Sequence, residues 1–337
     1  MKILYAIQGT GNGHICRAAE LIPEFEKYGE VDVLVSGTEY HLTLPWKIKY
    51  QLHGLTLVLG NHGGIDYVRT FAKNQLRRFI KEVQSLPVQD YDLVISDFEP
   101  VSAWACYMQH KDCYGVGNQF ALQQRGVPLP QKRDLVGKFI LNSYAPVSIT
   151  YGMHFKRYNP NIRTPIIRRS VRLAEPSNSG HYTVYLCQND ETSISLVLQA
   201  FPDIRWEVFS KQCKTVYTRG NIKFFPIEES TFLESLKTCE GIICGAGFGT
   251  TSEALFLGKK LCVIPTKNQL EQKCNAVALE EMGATVLPSL QLKQYVQIHK
   301  WLEKPMPERI LYPDNAATIA FEMIETLLER QVSLLVC

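Results

Sequence analysis

A glycine-rich turn that ends in histidine occupies residues 9–14 (GTGNGH), directly after an apolar run at residues 3–7. Glycines between a first strand and a first helix are typical of dinucleotide sites, because they let backbone N–H groups approach a pyrophosphate. That fingerprint places a third glycine where this chain has His14, and the Gly-Lys-Ser/Thr of a P-loop does not follow. The turn, with Gly9, Gly11 and Gly13, therefore predicts a histidine at the end of a strand.

A second glycine-rich turn lies in the stretch CGAGFGTTSEALF, which begins at residue 244. Its chemistry-bearing residues are Gly245, Gly247, Gly249, Thr250, Thr251 and Glu253. Glycines permit close backbone approach, and hydroxyls beside free N–H groups at a helix start suit a diphosphate. The carboxylate of Glu253 would repel a phosphate but can accept both hydroxyls of a ribose. The pattern predicts a ribose diphosphate site; the alternative is a tight turn in which Glu253 merely favours the helix dipole.

The elements that must position these turns alternate between strands and helices. Continuous apolar runs, typical of strands buried on both faces, lie at residues 3–7, 31–35, 93–96, 184–187, 241–244 and 261–264. Between the first two runs, residues 15–27 place apolar side chains on one face of a helix. This alternation predicts an α/β protein with parallel sheets and right-handed crossovers.

The alternation stops at residues 158–180, where Pro, Asn, Ser and Gly are concentrated, and restarts with a strand near Tyr182. A chain of 337 residues exceeds one ordinary domain of roughly 100–200 residues. We therefore predict two doubly wound, Rossmann-like domains that face each other across a cleft. They would span residues 1–157 and 181–312, joined by a linker at residues 158–180 and followed by a final helix within residues 313–337.

The composition of the chain narrows the class of protein and its expected location. A hydrophobic fraction of 45% and a charged fraction of 20% are typical of a globular protein, and a net charge of +3 does not favour nucleic acid as a partner. The ten cysteines show no CxxC pair or zinc spacing, which favours reduced thiols. No signal peptide and no apolar run of about 20 residues is recognisable. We expect a cytoplasmic protein.

Taken together, the motifs resemble those of GT-B glycosyltransferases. The pattern GxGTxxEAL matches residues 247–255, and an acidic residue, Gln, two residues and Asn-Ala match residues 271–276. The resemblance is closest to family 28, which includes the enzyme that adds N-acetylglucosamine to the lipid-linked peptidoglycan precursor. It extends to the UDP-glycosyltransferases of plants and antibiotic pathways. It implies that the C-terminal domain binds a nucleotide-sugar donor, usually UDP-linked, the N-terminal domain binds the acceptor, and the final helix packs across the domain junction.

Carried over position by position, the resemblance assigns roles in the donor site. It implies that Glu253 holds the ribose hydroxyls and that Gly249 and Thr250 border the diphosphate. The backbone at Ile227 would contact the base. Glu271 and Gln272 would meet hydroxyls of the transferred sugar. The donor-binding set is Ile227, Gly245, Gly247, Gly249, Thr250, Thr251, Glu253, Glu271, Gln272 and Asn275. No cofactor is expected, since the UDP-sugar is a co-substrate.

The resemblance also gives His14 a role. An inverting transfer needs a base that removes the acceptor's proton, and imidazole has a reference pKa of about 6.5. Asp97, at the end of a buried strand, would fix the tautomer of the ring. The alternatives are that His14 caps a helix start and that Asp97 is the N-cap of a helix near Glu99. Glu99 or a substrate phosphate could then be the base.

The sequence indicates less about the residues that would bind the acceptor. Residues 68–84 carry a basic helical face that suggests peripheral contact with anionic lipid at the inner face of the membrane, although a merely solvated face is the favoured interpretation. The polar stretch 118–134 suits a rim over the acceptor. The DYD triplet at residues 90–92 imitates a metal-binding DxD motif but precedes its strand, so no metal is expected.

The sequence therefore predicts an inverting, metal-independent hexosyltransferase that uses a UDP-sugar. Its acceptor would be a carbohydrate, or a lipid-linked or cell-envelope molecule. Two alternatives stay open: a nucleotide-sugar 2-epimerase of the same fold, and a non-catalytic nucleotide-sugar-binding subunit.

Overall fold

The computed structural model describes residues 1–9, 12–37, 46–55, 75–132 and 134–336, and in them the chain forms two largely parallel sheets. The first has the order β3-β2-β1-β4-β5-β6, and its strands are β1 (Lys2–Gln8), β2 (Glu30–Ser36), β3 (Ile48–Leu52), β4 (Leu93–Asp97), β5 (Tyr114–Gly117) and β6 (Ile149–Gly152). The second has the order β13-β12-β11-β7-β8-β10-β9, and its strands are β7 (His181–Tyr185), β8 (Arg205–Phe209), β9 (Tyr217–Arg219), β10 (Ile222–Phe225), β11 (Gly241–Gly245), β12 (Lys260–Ile264) and β13 (Thr285–Val286).

Helices connect these strands. They are α1 (Asn12–Phe25), α2 (Leu76–Ser85), α3 (Pro100–Met108), α4 (Asn118–Ala121), α5 (Leu135–Ser143), α6 (Arg169–Arg172), α7 (Glu191–Leu198), α8 (Glu229–Thr238), α9 (Phe248–Phe256), α10 (Leu270–Glu281), α11 (Tyr295–Leu302) and α12 (Ala316–Val336). Among the described residues, all strand pairs are parallel except that of β9 with β10 at one edge of the second sheet. The predicted α/β architecture of two doubly wound domains is confirmed.

Strand β1 shows why the apolar runs form central strands. Every residue from 3 to 7 is fully buried. Because successive side chains point to opposite faces of a sheet, Ile3 and Tyr5 pack into one core while Leu4 and Ala6 pack into the other. A strand that is covered on both faces reads as a continuous apolar run rather than an alternating one.

The fourth predicted run was misplaced. Strand β7 spans His181–Tyr185 rather than residues 184–187. Its residues pair in register with β8 from His181 to Tyr185 and with β11 up to Tyr185, so the ladder ends there. The side chain of His181 is buried. The search for continuous apolar runs did not include this residue, because histidine is polar.

The segment between the two sheets is packed rather than free. Ile167 and Val171 are 1% and 0% exposed in the main core. The guanidinium of Arg172 donates to the carbonyls of Tyr312 and Pro313 at 2.8 and 3.1 Å. Lys259 donates to the Ser177 carbonyl at 2.8 Å. This segment is therefore attached at Arg172 and at Ser177 to residues that follow it in the chain.

Helix α12 follows the second domain but packs on the first. The Tyr151 hydroxyl donates to the Glu322 carbonyl at 3.1 Å, and Arg163 forms an ion pair with the Glu322 carboxylate. Arg330 pairs with Asp112 at 2.7 Å. Ile319 and other apolar residues of the helix join the main core. The final helix thus joins the two domains through buried apolar contacts and ion pairs.

Two adjacent leucines of α12 test this packing. Leu327 is 6% exposed, whereas Leu328 is 48% exposed. We expect Leu327→Ala to lower the free energy of unfolding by about 2–5 kcal/mol, because it leaves a cavity in the core. Leu328→Ala should change it by no more than about 0.5 kcal/mol. Urea denaturation of both variants measures the difference, and equal losses would contradict the described packing of α12.

Candidate active site

Both sheets have a switch point, where the strand order reverses. It lies between β1 and β4 in the first sheet and between β7 and β11 in the second. Ligands of open α/β sheets bind beyond the carboxyl ends of the strands at such points. A cleft of about 720 Å³ lies there, with walls from both domains. Of the predicted site residues, those that line it are Gly13, His14, Ile227, Gly247, Gly249, Thr250, Glu253, Glu271 and Gln272.

His14 and Asp97 meet at the first switch point. His14 lies in the first turn of α1, and Asp97 is the last residue of β4. The distance from His14 Nδ1 to Asp97 Oδ1 is 2.7 Å. Because a carboxylate only accepts, Nδ1 donates in this contact, and in a neutral ring Nε2 then keeps its lone pair. Arg17 Nη2 lies 3.0 Å from the same Nδ1 atom. Nε2 has no hydrogen bond to the residues that the structure describes, and His14 lines the cleft.

Arg17 is the third member of this group and was not predicted. Its Nε donates to Asp97 Oδ2 at 2.9 Å, and its Nη2 bonds the Oδ1 atom that also accepts from His14. The Tyr5 hydroxyl lies 3.4 Å from Oδ2. Arg17 stands one helical turn after His14, on the same face of α1. One buried carboxylate therefore holds both the histidine and the arginine.

Burial and charge act in opposite directions on Asp97. Burial raises the pKa of this fully buried carboxyl, but the charges of Arg17 and His14 and their hydrogen bonds outweigh that effect, so the pKa lies below its usual value. Burial likewise opposes the charge of Arg17, and the Asp97 carboxylate overcomes it, which leaves the pKa of Arg17 raised. Asp97 is therefore ionised at neutral pH.

Glu99, the alternative base, has another role. Both of its side-chain oxygens accept at 2.7 Å from backbone N–H groups, one from Val101 and one from Ser102. It is the N-cap of α3 and is fully buried. This excludes Asp97 as that N-cap and leaves Glu99 occupied away from the cleft.

Glu271 faces the same cleft from the second domain. It lies in the first turn of α10, and Gln119 of the first domain donates to its Oε2 at 3.0 Å. Burial raises its pKa, and the nearby charges of His14 and Arg17 counteract this only in part. Close by, Lys273 pairs with Asp134 at 2.9 Å. The start of α10 is thus attached to the first domain across the cleft.

The start of α9 suits an anion. Its N-cap, Gly247, offers no capping side chain, so the N–H groups of the first turn lack a partner from a cap. A Cβ added at Gly247 or Gly249 would meet open space. Thr250 lines the cleft, and its hydroxyl makes no hydrogen bond to any described residue. A helix start with open N–H groups binds anions such as phosphate.

Thr251 and Asn275 were predicted to bind the donor, but the structure places them behind the loop. The Thr251 hydroxyl is fully buried and donates to the Gly247 carbonyl at 2.7 Å. Asn275 is also fully buried and donates to the Ala246 carbonyl at 3.0 Å. Both side chains direct their hydrogen bonds into the protein. They support the glycine turn rather than line the cleft.

Gln272 does both. Its side-chain oxygen accepts from Ala246 N at 3.2 Å and from Thr266 N at 2.9 Å, while its Nε2 has no bond to the described residues. Gly245 ends β11 outside the cleft lining, and a Cβ there would approach Gln272 at 3.5 Å. Gln272 therefore fixes the turn with its oxygen and offers its amide N–H groups to a ligand.

Glu253 is already paired. Its two oxygens accept from Arg168 Nε at 2.5 Å and Nη2 at 2.7 Å. Arg168 also donates from Nη1 to Glu229 at 2.8 Å. Arg168 was not predicted, because 85 residues separate it from Glu253 and nothing in the linker sequence indicates a site. The residues directly after β10 line the cleft, and Ile227 is one of them, as predicted.

Some predicted features lie elsewhere. Gly9 is buried behind the cleft, where its N–H donates to the Ser36 carbonyl at 2.6 Å. Gly11 and residues 68–74 of the basic segment lie outside the described residues. Asp92 of the DYD triplet accepts from Lys2 N at 2.7 Å, at the edge of the sheet opposite the cleft. Within the described ranges, no three His, Cys, Asp or Glu residues are grouped to hold a metal ion.

The sequence matches the profile of glycosyl transferase family 1 over residues 1–304. The chain belongs to glycosyl transferase family 1. It is therefore a glycosyltransferase, and the cleft described above is its candidate active site. The match does not support the narrower resemblance to family 28, which the glycine and EAL motifs alone had favoured.

Individual proteins are also similar to this chain. An uncharacterized glycosyltransferase of Methanosarcina acetivorans is 25% identical over 330 residues, covering 84% of this chain and 82% of its own. The co-structure of S. aureus MnaA with UDP has a TM-score of 0.62 at 12% identity over 97% of both chains. A Polygonum tinctorium UDP-glucosyltransferase that can glucosylate indoxyl has a TM-score of 0.58 at 14% identity, covering 97% of this chain and 98% of its own. These structures confirm the GT-B fold.

The lowered pKa of Asp97 predicts how stability depends on pH. A carboxyl whose pKa is lower in the folded chain than its unfolded value of about 3.9 stabilises the fold above that pH, and this stabilisation is lost as the pH falls through the folded pKa. Asp97→Asn leaves Arg17 buried without its partner and should cost about 3–5 kcal/mol at pH 7. The difference from wild type should shrink below about pH 4.

Urea denaturation from pH 7 to pH 2.5 measures this difference. Asp92→Asn, which removes an exposed carboxylate from the same domain, is the control and should leave the pH profile parallel to that of wild type. A difference for Asp97→Asn that stays constant through the acid range would show that Asp97 does not have a lowered pKa.

Proposed function

We propose that this glycosyltransferase moves a hexosyl or N-acetylhexosaminyl unit from a UDP-sugar to a hydroxyl acceptor, with inversion at the anomeric carbon and without a metal ion. One observation carries the proposal: His14, held by Asp97, faces the same cleft as the open start of α9. A displacement at an anomeric carbon needs a base for the attacking hydroxyl and an anion site for the leaving diphosphate. The two domains supply one each.

In this proposal the second domain binds the donor. The N–H groups of the first turn of α9 and the Thr250 hydroxyl would hold the diphosphate, and Glu253 would accept from the ribose hydroxyls. Glu271 and Gln272 would contact the hydroxyls of the sugar from the start of α10. The backbone near Ile227 would contact the base. A uracil base is favoured because relatives of this fold bind UDP or use UDP-glucose, as the names of two of them state.

The first domain would activate the acceptor. His14 Nε2 takes the proton of the acceptor hydroxyl while the oxygen attacks the anomeric carbon from the side opposite the diphosphate. The new C–O bond forms as the old one breaks, and UDP leaves with the bonding electron pair. Asp97 keeps the ring in the tautomer that leaves Nε2 unprotonated.

The proposed acceptor approaches from the first domain. Leu135 and Phe139 of α5 are 74% and 70% exposed, and Leu129 before them is 58% exposed. Leu135 and Phe139 stand one helical turn apart, and exposed apolar side chains of this kind suit an apolar or lipid-linked acceptor, or peripheral contact with a membrane. In the described part of the chain, no helix is long and apolar enough to cross a bilayer. The nine described cysteines are free, which fits the proposed location in the cytoplasm.

Nucleotide binding tests the donor half. We expect UDP to raise the melting temperature, while ADP and NAD raise it less. At about 100 times its dissociation constant a ligand adds about 2.7 kcal/mol of stability, because it binds only the folded state. Differential scanning fluorimetry over a concentration series measures the shift. A shift with NAD and none with any nucleoside diphosphate would contradict the proposal.

Kinetics test the base. His14→Asn keeps a side-chain N–H that can donate to Asp97 but has no basic nitrogen. We expect turnover to fall by about 10²–10⁴-fold, while UDP affinity and melting temperature stay near wild type, because a general base contributes that much to rate. UDP release from UDP-glucose and UDP-N-acetylglucosamine with a panel of alcohol acceptors measures turnover.

The matched control is His53→Asn, which removes an exposed histidine of the same domain outside the cleft and should leave turnover unchanged. Normal turnover in His14→Asn would indicate that a group of the substrate, rather than His14, is the base. Release of UDP and an epimerised sugar without any acceptor would instead indicate a 2-epimerase. Binding of UDP without turnover under any condition would indicate a nucleotide-sugar-binding subunit.

A further inference from the structure

The ion pair of Arg168 and Glu253 occupies the ribose end of the proposed donor site. Arg168 uses Nε and Nη2 for the two carboxylate oxygens, so the contact is a fork at one edge of the carboxylate. Both side chains lie in the cleft wall and are 14% and 7% exposed. The fork is a bidentate, charge-assisted contact of the strong kind.

The geometry of this fork matters for a diol. A carboxylate has one edge from which a single partner can reach both oxygens, although each oxygen also has a lone pair directed away from that edge. The guanidinium fork holds the shared edge. Two neighbouring ribose hydroxyls that bind both oxygens together need the same edge. The diol and Arg168 therefore compete for it.

The arginine can leave while its backbone stays in place. The Arg169 N–H donates to Glu20 of α1 at 3.0 Å, and Ile167 and Val171 on either side are buried in the core. Position 168 is therefore held by its neighbours. Only the flexible side chain has to turn away from Glu253, and Glu229 already holds its Nη1 atom at 2.8 Å.

The diphosphate site is within a short distance of the ion pair. Gly249 precedes Glu253 by four residues of α9, which is about 6 Å along a helix axis. A guanidinium that leaves the Glu253 carboxylate thus stands near the open N–H groups where a diphosphate would bind. Arg168 and those N–H groups line one cleft. A phosphate group offers a fork-shaped acceptor of the same kind as the lost carboxylate.

We propose that Arg168 exchanges partners when the donor binds: the ribose hydroxyls take Glu253, and the guanidinium moves to the diphosphate. This inference rests on the proposed nucleotide-sugar donor and names the residue that makes the site specific for a phosphorylated nucleotide. A nucleoside breaks the ion pair and leaves Arg168 without an anion. A nucleoside diphosphate breaks the same pair and supplies a new one, so the exchange favours ligands that carry both a diol and a diphosphate.

Three ligands separate the steps of the exchange: UDP, uridine, and 2′,3′-dideoxy-UDP. In wild type, UDP should bind far more tightly than uridine. Arg168→Met should weaken UDP by about 10- to 100-fold, because one charge-assisted contact is lost. Uridine should bind as before or more tightly, since Glu253 no longer has to be freed. The preference for UDP over uridine should therefore fall at least tenfold. Dideoxy-UDP, which leaves Arg168 on Glu253, should lose no more than about threefold.

Titration calorimetry, with competition for the weak ligands, measures these affinities. Arg169→Met removes the adjacent, exposed arginine outside the cleft and is the matched control. Arg168→Lys keeps the charge without the fork and should restore much of the preference for UDP. Equal losses for UDP, uridine and dideoxy-UDP in Arg168→Met would mean that Arg168 only supports the site, and would overturn the exchange. A UDP complex in which Arg168 still holds both Glu253 oxygens would overturn it too.

These outcomes are distinct from failure of the proposed function. If wild type binds no nucleoside diphosphate at all, the donor assignment is wrong. If it binds UDP and Arg168→Met keeps the wild-type preference for UDP over uridine, the donor assignment stands and the exchange is wrong.

Discussion

The first half of the site depends on the burial of a single carboxylate. Asp97 is fully buried at the end of β4, where an unpaired charge would be costly. Its oxygens are satisfied by His14, Arg17 and the Tyr5 hydroxyl, two of which belong to α1. Helix α1 is therefore fixed to β4 by the same contacts that orient the imidazole. The need to compensate one charge sets the position of His14.

On the side of the second domain, carboxylates are likewise held by hydrogen-bond donors. Glu253 is held by Arg168 and Glu271 by Gln119, so each of these two carboxylates has a donor from outside its own helix. Gln119 belongs to the first domain, and its bond to Glu271 connects the two domains. A ligand that uses Glu253 or Glu271 must compete with a contact that already exists. Ligand binding at Glu271 and this contact between the domains are for this reason coupled.

The sequence was informative where a local pattern determines the structure. Continuous apolar runs identified strands, and the glycine turn before Glu253 identified the open helix start. It was less informative where the direction of a side chain decides whether the residue faces the cleft. Thr250 and Thr251 differ by about 100° around the helix, so only one of two adjacent hydroxyls can face the cleft. Arg17 could have been found, since it stands one turn after His14. Arg168 and Gln119 could not, because their partners are 85 and 152 residues away.

The distribution of charge also bears on what the cleft accepts. The three carboxylates Asp97, Glu253 and Glu271 each accept a hydrogen bond before a ligand arrives, while the N–H groups at the start of α9 have no capping side chain and the Thr250 hydroxyl has no partner among the described residues. Unsatisfied donors at a helix start favour an anionic ligand. His14 Nε2 offers a lone pair to this cleft from the first domain. In the proposed reaction, an acceptor hydroxyl between His14 and the sugar would give its proton to that lone pair and direct its oxygen at the anomeric carbon, while the leaving diphosphate would be held by the start of α9.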